Sequence, residues 1–87
     1  KPYASQCDGV MHACGHDVHT TVGLGAAMVL AEIADQLPGA VRFLFQPAEE
    51  VAEGARWMIA DGAMDRVSAI LSLHVFPSIP AGTIAVR

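Results

Sequence analysis

The amino-acid sequence predicts an α/β fold: an α-β-α-β fragment with a short further strand, its mainly parallel sheet flanked by helices. Two observations predict it. From Val18 onward, Val22, Gly25, Val29 and Ile33 recur every three or four residues, the period of one helix face. Two short apolar runs, 40–46 and 67–75, then flank a second helical pattern. Strand, helix and strand at that spacing make a βαβ unit, which is almost always parallel with a right-handed crossover.

Residues 1–16 carry Pro2, Gly9 and Gly15 without a helical period and read as a loop. Asp17 is placed to cap the helix that follows, offering an acceptor to the open N–H groups of its first turn. That helix is expected over 18–37. Its small residues Gly23, Gly25, Ala26 and Ala27 suit close packing on a sheet, and Pro38-Gly39 ends it. Ala40–Gln46 is short, aromatic and mostly apolar, as a buried strand is, and Pro47 stops it. Val51–Asp61 is the second expected helix, with Gly62 as its stop. Val67–Val75 is the second apolar strand, Pro77 and Pro80 mark a turn, and Thr83–Val86 reads as a short third strand.

Composition narrows the function classes. The chain is 53% hydrophobic and 16% charged, against a usual charged share of about 25%. That excludes a disordered segment and reads like the interior of something larger. Eighty-seven residues allow one domain at most. A net charge of −4 argues against a nucleic-acid partner held through phosphates. The longest apolar stretch, Thr21–Ala31, is about half the ~20 residues a membrane span needs. Two cysteines are too few for a disulfide scaffold, and a Cys7–Cys14 bridge is not expected, because a reduced Cys14 has a better use. No signal or transit pattern follows Lys1, so the expected location is cytoplasmic.

The predicted topology also says where chemistry collects. Sites in open α/β sheets form outside the carboxyl ends of the strands. Glu49 and Glu50 follow strand 40–46, and His74 ends strand 67–75. Cys14 and His16 sit just before the N-terminus of helix 18–37, which runs back along the first strand, so they fall on the same rim. Thiolate, imidazole and carboxylate together suit Zn²⁺ and other first-row divalent ions. Asp17 and His19 could support a ligating imidazole from behind. Of the adjacent glutamates, one could bind metal while the other acts as general base. Singly, each residue has a plainer reading: Cys14 as an apolar thiol, His16 or His74 as a hydrogen-bonded side chain, the glutamates as an acidic first turn. His12 and His19 stay open, His19 between supporting a ligand and simple packing in the first turn of the helix. A third arrangement, Cys14 as nucleophile beside a histidine base, also exists on paper.

Four stretches together carry a resemblance: Pro2-Tyr3-Ala4-Ser5, the run Gly9-Val10-Met11-His12-Ala13-Cys14-Gly15-His16-Asp17-Val18-His19-Thr20, Gln46-Pro47-Ala48-Glu49-Glu50, and Leu73-His74-Val75. They closely resemble the aminoacylase/carboxypeptidase family of dinuclear metallo-amidohydrolases, in the branch of hippurate hydrolases and indole-acetyl-amino-acid hydrolases. The intervals agree with the family pattern: 34 residues from His16 to Glu50 and 24 from Glu50 to His74. The resemblance implies Cys14, His16, Glu50 and His74 as metal ligands and Glu49 as general base, with Asp17 and His19 in supporting positions. It implies two divalent ions in the parent protein, with zinc, manganese, cobalt and nickel all open, and hydrolysis of the amide bond of an N-acyl amino acid. It further implies that residues 1–87 are part of a phosphorylase/hydrolase-like catalytic domain, lacking the lid and dimerisation domain, an upstream acidic segment and a fifth, histidine ligand. On that reading the fragment alone is inactive, holds one ion or none, and associates with copies of itself through uncovered sheet edges as a homo-oligomer. A non-catalytic metal-binding fragment is the alternative.

Overall fold

In the computed structural model, which describes residues 1–86, helix α1 spans His16–Glu32. Gly15 precedes it at φ 86°, in the left-handed region that favours glycine, and no side chain caps the helix. Asp17 therefore lies inside the first turn instead of capping it. There its negative charge complements the helix dipole. The first helical bond runs from the His19 N–H to the Gly15 carbonyl at 3.0 Å. The ladder then tightens into a 3-10 turn at Ala34–Gln36 and stops at Leu37. Leu37 is extended (φ −79°, ψ 137°) because the ring of Pro38 disfavours a helical residue before it.

Helix α2 covers Gly54–Ala60, shorter than the expected 51–61. Ahead of it, Glu49–Val51 forms a separate 3-10 turn, and Ala52 at φ 58° breaks continuity between the two. The C-terminal end is as expected. Gly62 takes φ 82°, its N–H reaches the Ile59 carbonyl at 3.0 Å, and the Ala63 N–H reaches Met58 at 2.8 Å. This pair of bonds is a Schellman motif, which uses up carbonyls the helix leaves open. The Arg42 guanidinium donates to the carbonyls of Gly62 (3.3 Å) and Ala63 (2.6 Å), placing a cation at the negative end of α2.

The α/β expectation is corrected at the sheet. Among the described residues there is no strand: 40–46, 67–75 and 83–86 form no ladder with one another or with anything else. A strand is defined by a second backbone about 4.8 Å away with paired N–H and C=O groups. An apolar run meets only the local half of that condition. The ties that do form are made by side chains, such as Arg42 to the end of α2. The small face of α1 is used at one point, where a β-carbon on Gly23 would lie 3.4 Å from the Phe45 ring, while Gly25 faces open space.

The same finding appears in the burial. Among the described residues no hydrophobic side chain is buried, and Leu71 is 97% exposed. The accessible surface is 8082 Å², where a folded chain of this mass would show about 4,900 Å². The radius of gyration is 15.9 Å, against about 12 Å for a compact chain of this length. No described helix is long and apolar enough to cross a membrane.

Candidate metal centre

Three short pieces of chain meet at one place. The first is the start of α1, where left-handed Gly15 turns the backbone between Cys14 and His16. Gly15 is needed for space as well as for φ: a β-carbon there would come within 2.5 Å of Val75 Cγ2. Gly15→Ala is accordingly expected to cost about 1–2 kcal/mol from the left-handed backbone, and more from the contact with Val75. Thermal unfolding checks this, and an unchanged midpoint would contradict it.

The second piece is the 3-10 turn Glu49–Val51, bracketed by Ala48 at φ 50° and Ala52 at φ 58°. Both alanines are left-handed, a conformation that costs a non-glycine residue roughly 1–2 kcal/mol and that clusters at functional sites. The third piece is the segment at His74.

Donor atoms of Cys14, His16 and Glu50 all lie within 4.8 Å of one another. Cys14 Sγ is also 3.3 Å from His74 Nε2. His16 Nε2 stands 3.5 Å from Glu49 Oε2 and 3.5 Å from Glu50 Oε1. The two adjacent carboxylates thus converge on one imidazole nitrogen. That nitrogen is itself occluded, yet it makes no hydrogen bond. Burial, the neighbouring Glu50 carboxylate and then the charge of Glu49 raise the Cys14 thiol above its ordinary range.

A sulfur, a buried imidazole nitrogen without a hydrogen bond and two carboxylates, with no cationic side chain bonded to them among the described residues, fit a divalent cation. The set mixes the soft and hard donors that zinc and its neighbours accept. Of the remaining residues named from the sequence, Asp17 is exposed and outside the group; its backbone carbonyl accepts the Thr21 hydroxyl at 2.8 Å. The His12 ring centroid is 6.4 Å from that of His16, also outside the group. His19 binds the backbone next to His74: its Nε2 accepts the Val75 N–H at 3.0 Å. Val75 belongs to the Leu73-His74-Val75 stretch of the sequence, but no role at the site is expected of it there. It acts through its backbone, so no chemical signature in its side chain could mark it.

Comparison with known proteins places these residues in context. A probable hydrolase of Synechocystis sp. is 67% identical over 86 residues, which cover 99% of this chain and 22% of that protein. An N-acetylcysteine deacetylase of Bacillus subtilis is 52% identical over 86 residues, 99% of this chain and 23% of its own length. An indole-3-acetyl-aspartic acid hydrolase of Enterobacter agglomerans is 50% identical over 82 residues, 94% of this chain and 19% of its own. The chain therefore spans about a fifth of the length of these relatives. No solved structure matches it. The family described as peptidase family M20/M25/M40 matches residues 1–87, and with a match along its whole length the chain belongs to that family.

Proposed function

We propose that the protein carrying these residues is a metal-dependent hydrolase of N-acyl amino acids, with Cys14, His16, Glu50 and His74 as metal ligands and Glu49 as general base. The observation that carries this reading is the occluded, unpaired His16 Nε2, with two carboxylates at 3.5 Å, beside the Cys14–His74 contact. A buried polar atom without a partner is costly, and here the missing partner is one that carboxylate, thiolate and imidazole would share. The relatives named for deacetylation of N-acetylcysteine and hydrolysis of indole-3-acetyl-aspartic acid support the substrate class.

The cation would supply positive charge that polarises the scissile carbonyl and makes water easier to deprotonate. Glu49 would take a proton from that water and pass it to the amine nitrogen as the C–N bond breaks. The products are the carboxylic acid and the free amino acid, so one water is consumed for each amide.

Titration of the whole protein with Zn²⁺ tests the ligand set. Wild type is expected to bind tightly, and Cys14→Ala or His16→Ala to lose at least tenfold in affinity. Binding must displace the proton from the Cys14 thiol, whose raised pKa keeps it protonated at neutral pH. Affinity is therefore expected to rise with pH, with a proton released on binding, visible as a dependence on buffer ionisation enthalpy in calorimetry. Unchanged affinity in both variants would remove the ligand assignment.

One observation favours a second reading, a cysteine hydrolase: Cys14 Sγ and His74 Nε2 are 3.3 Å apart, as nucleophile and base would be. The surroundings oppose it. A reactive cysteine needs an electropositive site that lowers its pKa, and at Cys14 burial, then Glu50 and Glu49, do the reverse. Chelator sensitivity separates the two, since only the metal-dependent hydrolase loses activity to it.

A further inference from the structure

We infer that His19 is a positioning residue, which holds the Val75 backbone so that His74 presents Nε2, and not Nδ1, to Cys14. The argument starts from hydrogen-bond roles. A carbonyl oxygen only accepts, so the 2.7 Å contact between His74 Nδ1 and the Val75 carbonyl places the proton on Nδ1. Neutral His74 then has its lone pair on Nε2, the atom 3.3 Å from Cys14 Sγ. Val75 sets this tautomer, and Val75 is itself held from the other direction: its N–H donates to His19 Nε2 at 3.0 Å.

Two further contacts make His19 specific to this task. Its ring lies against that of His74, with centroids 4.4 Å apart. It also sits one helical turn from His16, with ring centroids 5.8 Å apart, so α1 carries both rings on one face. His19 thereby ties the helix that bears His16 to the segment that bears His74. Its own Nε2 lone pair is engaged by Val75, which takes that nitrogen out of the ligand set. The role of His19 toward a cation rests on the proposed metal reading; its role toward the His74 tautomer does not.

The test uses the full-length protein, ¹⁵N-labelled at histidine, in wild type, His19→Leu and His19→Gln. Leucine removes the acceptor at similar volume, whereas the Gln amide oxygen can accept the Val75 N–H. Long-range ¹H–¹⁵N spectra of the metal-free protein are expected to show His74 as the Nδ1–H tautomer in wild type, a tautomer mixture in His19→Leu, and recovery in His19→Gln. Titration with Co²⁺ is expected to show at least a tenfold loss of affinity in His19→Leu, with a weakened thiolate-to-cobalt absorption band, and partial rescue in His19→Gln. A His74 tautomer that is the same in all three proteins would overturn the inference. A tautomer that responds as expected in a wild-type protein that binds no Co²⁺ would uphold the positioning role and sink the metal reading instead.

Discussion

Glu49→Gln in the whole protein is expected to leave metal content unchanged and to lower turnover of an N-acyl amino acid by about 100-fold or more. Glutamine keeps the size and hydrogen-bonding reach of glutamate but has no basic carboxylate. A positioned general base typically contributes about 10²–10⁴-fold. The neighbouring substitution supplies the contrast. His16 Nε2 has the Glu50 carboxylate at the same 3.5 Å as that of Glu49, but only Glu50 shares the close group with Cys14 and His16. Glu50→Gln is therefore expected to lose metal, and activity with it. Metal analysis alongside steady-state kinetics distinguishes the pair. A Glu49→Gln protein retaining more than about a tenth of the wild-type rate would end the base assignment.

Gly54→Ala is expected to damage the site without touching any donor atom. Gly54 is the one buried residue among those described, and a β-carbon on it would overlap the Pro47 carbonyl oxygen. Overpacking commonly costs about 1–3 kcal/mol. Here the obstacle is backbone and not the flexible end of a side chain, so the cost falls at the upper end or beyond. Pro47 leads into left-handed Ala48 and the Glu49–Val51 turn, and Gly54 opens α2 behind it. Relief of the overlap must therefore move the turn that presents both carboxylates. The expected result is a lower thermal midpoint together with at least a tenfold loss of Zn²⁺ affinity. A variant with wild-type affinity would show that the close approach of Gly54 to Pro47 does not position Glu50.

The long helix was readable because its signals are local. Val22, Val29 and Ile33 mark its period, and Pro38 forces Leu37 out of helical geometry. Its start differs from the expected Asp17 cap: the chain turns at Gly15, as a glycine there allows, and the helix already begins at His16. The second helix is shorter than the pattern 51–61 for a related reason. Val51 and Ala52 fit a helical pattern, but Ala52 sits at φ 58°, a conformation alanine sequences do not announce.

What the sequence alone determined is the family to which the chain belongs and the density of thiol, imidazole and carboxylate groups, since residue identity and spacing are properties of the chain itself. The tertiary structure alone decided that the apolar runs 40–46 and 67–75 do not pair, because a β-ladder depends on a second backbone that no local pattern encodes. It also decided that both carboxylates face one nitrogen of His16, and that His19 reaches Val75, 56 positions further along the chain. Those are distances between groups remote in sequence, fixed only when the chain takes its shape.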